Sequence, residues 1–371
     1  MRLRALSVIL VLLTVLAACS GARMVSLEEV SRAGADVVPI LVASTRNVTD
    51  DGEFGRDRGN GLSFGRFDVS VPPKRRAGEV NLPGWRTNPR RHFATLNNEI
   101  FTGQTMFRSQ IAAQLVGRPE GSRNVVVFVH GYNTTYEDGL YRFAQFYTDL
   151  GLEDVPVHYS WPSGERLLRY GYDRDSMLFA RDGFEEMLRD VVNAGAERVL
   201  IVGHSMGSML IMETLREIAI ARDDRMRSKI GGVILVSPDI DLDVFRGQVE
   251  RIGELPQPFV IFSSSRDRVL SFAANEIYGA KPRLGNLEMD GELSDLDVTV
   301  VDVTDYSNGI LNHSTAITSP AFIKIVGNME MFTTSFDEGP GSRGTGFPDA
   351  FIAVDDADHL RIGPFQRGFL R

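Results

Sequence analysis

The sequence predicts an α/β fold, a mostly parallel central sheet with helices on both faces, and three observations carry that prediction. From Asn124 onward, short apolar runs alternate with longer segments of helical spacing. The apolar runs are nearly continuous, as strands covered on both faces require. One strand-to-helix junction, Gly203-His204-Ser205-Met206-Gly207, sets glycines two residues before and two after a serine. That spacing suits a reversal too tight for flanking side chains.

The elements follow in order. Residues 20–35 read as a tether with a short helix, and Val37–Ser44 as a first apolar strand. A polar Gly- and Arg-rich loop spans Arg46–Gly61. Leu62–Val71 reads as a strand closed by Pro72-Pro73, residues 74–98 as irregular and basic, and Asn97–Leu115 as helical. The regular part has strands at Val125–Val129, Val155–Ser160, Val199–Val202, Gly232–Ser237, Pro258–Ser263 and Val298–Asp302. Helices fall at Tyr136–Leu150, Arg174–Ala194, Ser205–Ala221 and near Val244–Ile252. The domain is expected over residues 36–327. Residues 328–371 form a Gly/Asp-rich tail expected to be partly flexible; its Gly-Pro-Gly-Ser-Arg-Gly-Thr-Gly run lacks the strand before it and the Lys-Ser/Thr after it that a phosphate loop needs.

The first 18 residues read as a lipoprotein signal peptide: two arginines by position 4, an apolar or small run over Ala5–Ala18, and Leu16-Ala17-Ala18 before Cys19. Fourteen residues are short for a bilayer span, which takes about 20. The segment Leu16-Ala17-Ala18-Cys19 resembles the bacterial lipobox, which implies a lipidated Cys19 and residues 19–35 as its tether. The expected location is the cell envelope, anchored to the outer membrane and facing the periplasm. Cys19 is the sole cysteine, so no internal disulfide or cysteine-based metal site is expected. The net charge is −9 and becomes −11 without residues 1–18, which hold two arginines and no acid. Such a balance argues against a nucleic-acid partner.

A serine hydroxyl at such a junction stands at the sheet's edge above a helix N-terminus, where backbone N–H groups can meet developing negative charge. It needs a base, and histidine titrates near working pH. His92, His130 and His158 precede Ser205, and His204 lies inside the turn with its side chain directed away. His313, just beyond the Val298–Asp302 strand, is therefore favoured, with His359 in the polar tail as the alternative. For the acid that orients the base, Asp267 follows the Pro258–Ser263 strand; Asp239, Asp241 and Asp302 compete. The oxyanion donors would be the N–H groups of Met206 and of Tyr132, the latter after His130-Gly131 at a strand end. Trp161 is a candidate pocket wall or a core aromatic, and Tyr170 and Asp173 are candidate rim residues. No His-x-x-x-His or Cys-x-x-Cys spacing occurs, so neither metal nor cofactor is expected.

Val-Phe-Val-His-Gly-Tyr-Asn (127–133), Tyr-Ser-Trp-Pro-Ser-Gly (159–164), Gly-His-Ser-Met-Gly (203–207) and Ser-Arg-Asp-Arg-Val (265–269) together resemble the α/β-hydrolase superfamily. Within it they resemble the bacterial DUF900 family, often found in lipoproteins. The likeness covers about residues 36–327. It implies the α/β-hydrolase fold and a Ser205–Asp267–His313 triad, with Tyr132 and Met206 forming the oxyanion hole. The expected activity is hydrolysis of carboxylic esters, small or lipid-like, through an acyl-enzyme on Ser205. A thioesterase, lipase or acyltransferase would use the same residues; a non-catalytic envelope scaffold is the reading from another class.

Overall fold

A computed structural model describes residues 25–83, 87–164, 169–267, 270, 283–287, 292–304, 350–354 and 360–364. Helix α1 (Leu27–Ala33) opens it. Ser26 caps α1 reciprocally with Glu29, and Gly34 closes it in the left-handed region. Strands β1 (Asp36–Val48), β2 (Phe54–Val71) and β3 (Ala94–Ile100) form an antiparallel set. Then come α2 (Gln104–Val116), β4 (Asn124–Val129), α3 (Tyr136–Asp149), β5 (Val155–Ser160) and α4 (Tyr170–Asn193). The series continues with β6 (Arg198–His204), α5 (Met206–Ile220), the short α6 (Asp224–Arg227), β7 (Ile230–Val236), α7 (Leu242–Ile252) and β8 (Phe259–Ser263). Strands β9 (Thr299–Asp302), β10 (Ala350–Val354) and β11 (Leu360–Pro364) complete it.

The eleven strands among the described residues join one sheet in the order β11-β10-β9-β8-β7-β6-β4-β5-β1-β2-β3. Every pairing from β1 to β10 across the middle is parallel, and the two margins are antiparallel. The sheet is thus mixed and mostly parallel, with helices on both faces. On one face Phe128 stacks on Phe143 of α3, and Tyr136, Leu140 and Phe146 pack with Val126 and Val202. On the other, Met177 and Phe184 of α4 and Leu210 and Ile211 of α5 cover Val127, Val157 and Ile201. No described helix is long and apolar enough to cross a membrane.

Three stretches differ from their sequence-based expectations. The polar segment 46–61 is mostly strand: β1 and β2 run on past the body as an arm, with Arg46 opposite Arg58 and Val48 opposite Phe54. Its strand character was hidden because most of its side chains face water, leaving no apolar run. The arm is fastened by Arg58, whose guanidinium lies over Tyr172 (4.8 Å) and donates to the Ser176 hydroxyl (3.0 Å). Secondly, Asn97–Ile100 belongs to the outer strand β3, where polar residues suit an edge; α2 begins only after Gly103. Thirdly, the tail holds β10 and β11, and β10 pairs in parallel with β9 (Ile352 opposite Val301), so the sheet extends beyond residue 327. The tether is docked from Val25 on: Val25 and Val30 pack against Ala94 and Leu96 of β3.

Candidate active site

The end of β6 turns into α5 at Ser205, whose φ of 53° and ψ of −120° lie outside the regions open to most L-residues. The turn is held there by its backbone. The Ser205 N–H donates to the Val236 carbonyl (2.9 Å), and the Ser205 carbonyl accepts from Ser208 N–H (3.0 Å) and Asp239 N–H (3.3 Å). The N–H of Met206, the first residue of α5, has no acceptor inside its helix. The flanking glycines are required by close approach. A Cβ on Gly207 would lie 2.5 Å from the His130 carbonyl oxygen and 2.6 Å from that of Val129. One on Gly131 would lie 2.9 Å from the Ser205 Cβ. The loop after β4 thus runs directly against the serine and brings the Gly131–Tyr132 peptide beside it.

His130 orients that peptide. Its Nδ1–H donates to the Gly131 carbonyl (2.9 Å), and its Nε2 accepts from the Trp161 N–H (3.2 Å). In a trans peptide the C=O and N–H point in opposite senses, so tying down the Gly131 carbonyl turns the Tyr132 N–H the other way. Burial, then the nearby Arg46 charge, hold His130 well below the ordinary imidazole range; it is a neutral orienting group. Trp161 is fully buried, stacks on His130 (4.9 Å, 12°) and donates from Nε1 to the His130 carbonyl (2.8 Å). Among the described residues it supports the loop from beneath. Arg46, fully buried, reaches from β1 to Ser160 Oγ (3.0 Å) and the Thr134 carbonyl (2.9 Å). No motif flagged Arg46, because its role depends on an arm that the sequence presents as loop.

Asp267 follows β8, two strands from β6, and is fully buried; its Oδ1 accepts from Leu270 N–H (3.0 Å). Its loop is stitched to the elbow's neighbour: Ser264 N–H donates to the Gly285 carbonyl (2.9 Å) and Gly285 N–H to that of Pro238 (2.9 Å). The competing aspartates have other partners. Asp239 pairs with the buried Arg283 (2.7 Å) and accepts from the Tyr170 hydroxyl (2.5 Å). Asp241 caps α7 through Asp243 and Val244 N–H, and Asp302 accepts from Thr304 N–H (2.8 Å). Tyr170 faces Tyr132, their rings 5.3 Å apart. Partial burial and then Asp173 raise the Tyr132 phenol to about 12. His313, His359 and Cys19 lie outside the described residues. Among the described residues no cluster of His, Cys, Asp and Glu is arranged to hold a metal ion.

The strand order, a serine in a left-handed turn after β6 and a buried acid after β8 define an α/β hydrolase. The family model described as "alpha/beta hydrolase of unknown function (DUF900)" matches residues 104–329, more than half of the chain. The chain belongs to that family. No curated protein matches it. Similar solved structures include a CIB-like hydrolase from Thermoplasma acidophilum (20% identity, 58% of this chain and 89% of that one, TM-score 0.34). Others are an esterase from Pyrococcus furiosus (15%, 85% and 99%, TM-score 0.35) and one from Pyrobaculum calidifontis (13%, 84% and 90%, TM-score 0.35).

Proposed function

We propose that this α/β hydrolase cleaves carboxylic esters through an acyl-enzyme on Ser205, with His313 as base and Asp267 as the acid that orients it. The carrying observation is the left-handed Ser205 backbone, with the Gly131 loop pressed against its Cβ. Backbone strain at a non-glycine residue gathers where chemistry is done.

In this reading His313 takes the hydroxyl proton as Ser205 Oγ bonds to the ester carbonyl carbon. The carbonyl electrons move onto oxygen, and the N–H groups of Tyr132 and Met206 receive that oxyanion. Collapse breaks the bond to the alcohol oxygen, which leaves with the proton from His313. Water then attacks the acyl carbon, gives its proton to His313, and the acid departs as Oγ recovers that proton. Ester substrates small or lipid-like fit a site in an envelope protein held by a lipidated Cys19, which we propose as its anchor.

The test is labelling of the full chain in detergent with a fluorophosphonate probe, beside Ser205→Ala and His313→Ala. Labelling lost in both variants, with turnover of a p-nitrophenyl ester by the wild type, is the expected result. A folded wild type inert to both overturns the proposal and leaves the scaffold reading. Labelling that survives His313→Ala moves the base to His359.

A further inference from the structure

The Trp161-Pro162-Ser163-Gly164 segment after β5 and Asp173 in the first turn of α4 form a buried clamp on the loop that carries the Tyr132 N–H. Asp173 is fully buried and uses both oxygens. Oδ1 accepts from Gly164 N–H (2.5 Å), and Oδ2 from the Ser163 hydroxyl (2.6 Å) and Asn133 N–H (3.2 Å). Ser163 Oγ in turn accepts from Thr134 N–H (3.2 Å), and the Thr134 hydroxyl donates to the Tyr132 carbonyl (3.1 Å). The peptide unit between Tyr132 and Asn133 is therefore gripped at both ends, its carbonyl by Thr134 and its N–H by Asp173. The grip holds Asn133 at a φ of 52°, left-handed without being glycine. With the preceding unit tied to His130 through the Gly131 carbonyl, both backbone torsions of Tyr132 are set from outside.

We propose that Asp173, acting with Ser163, is the positioning residue for the oxyanion donor. It makes no contact with substrate; it fixes the angle at which the Tyr132 N–H meets the tetrahedral oxygen. The carboxylate form is required, because all three of its partners are donors and an amide nitrogen in place of one oxygen would face an N–H or O–H with another. A loop left free to relax by a fraction of an ångström loses much of what a preset donor contributes, since about 1 Å of misplacement costs about 100-fold. The inference rests on the serine-hydrolase reading.

The experiment compares wild type, Asp173→Asn and Ser163→Ala in the full chain. It reads kcat and KM for a p-nitrophenyl ester, and Ki for a trifluoromethyl ketone, which becomes a tetrahedral oxyanion on Ser205, against Ki for the product acid. Asp173→Asn is expected to lower kcat between about 10- and 100-fold, to weaken the ketone by a similar factor, and to leave KM and product-acid affinity within about threefold. Ser163→Ala gives a smaller loss in the same ratio, and alone carries the test should Asp173→Asn not fold. A folded Asp173→Asn with wild-type kcat overturns the inference while the hydrolase reading stands. So does a loss in which ketone and product acid weaken equally, the mark of a merely structural role. An inert wild type overturns both.

Discussion

Gly207→Ala is the sharpest single test of the elbow, because two effects of opposite sign meet at that residue. Gly207 is in the first turn of α5 with helical backbone, so alanine on propensity alone would stabilise by about 1 kcal/mol. The added Cβ, however, would sit 2.5 and 2.6 Å from two carbonyl oxygens of β4 and the loop that follows it, both fixed backbone atoms. Reaching even 3.0 Å requires α5 and the Gly131 loop to part by about 0.5 Å, and overpacking of this kind costs about 1–3 kcal/mol. The net is a destabilisation of up to about 2 kcal/mol. At about 2.1 cal/mol/K per residue, a chain of this size loses up to about 3 °C of Tm. The same parting moves the Met206 and Tyr132 N–H groups relative to each other, for a rate loss of about 10-fold. Gly247 in α7 is the control: a Cβ there meets nothing within 4 Å, so Gly247→Ala is expected to raise Tm without changing the rate. The assays are thermal melting and the rate of fluorophosphonate inactivation. A Gly207→Ala protein that melts above wild type, or reacts as fast, would refute the steric argument for the elbow.

Arg283→Ala leaves the buried Asp239 carboxylate without its cation, and is expected to cost about 3–5 kcal/mol by denaturant melts, with part recovered in the double variant lacking both charges. His158 is buried and held neutral, its pKa pushed down to about 3 first by burial, with Nδ1 at the Phe128 carbonyl (3.2 Å). Since the unfolded chain binds that proton near pH 6.5, the stability His158 contributes is present above pH 6.5 and lost as pH falls toward 3. His158→Phe should make that decline shallower by about 1.4 kcal/mol per pH unit, one proton's worth; an unchanged slope in pH-dependent melts refutes the assignment. Cys19→Ser is expected to release the protein from the membrane fraction of its host, read by fractionation and by loss of the lipid mass.

The parallel half of the fold was legible in the sequence because its strands are doubly covered and so uniformly apolar: Val125–Val129 and Val155–Ser160 appear within a residue of their observed bounds. The glycine spacing around Ser205 was equally legible, since only a tight reversal needs it. What stayed hidden lies where polarity serves structure. Most side chains of the β1–β2 arm, and those of Asn97, Asn98 and Glu99 in β3, face water, and a sheet margin has no pattern that separates it from loop. In the candidate site, the place of Asp267 after β8 could be read from chain order, whereas Asp173, expected only as a rim residue, is fully buried, and Arg46 carried no signal. Their partners are backbone groups and serine hydroxyls up to 114 residues away in sequence, a relation that exists only once β1, β4 and β5 lie side by side.

The docking of α1 on β3 has a consequence for orientation. Residue 25 is already packed, and a lipid on Cys19 would be six residues upstream of it, a reach of at most about 20 Å even when fully extended. An anchored molecule would then stand with the β3 end of its sheet nearest the bilayer and β11 farthest from it. Four strands separate β3 from β6, which leads into Ser205, and four more separate β6 from β11, so in an anchored molecule the proposed nucleophile would stand midway along the sheet and away from its membrane end.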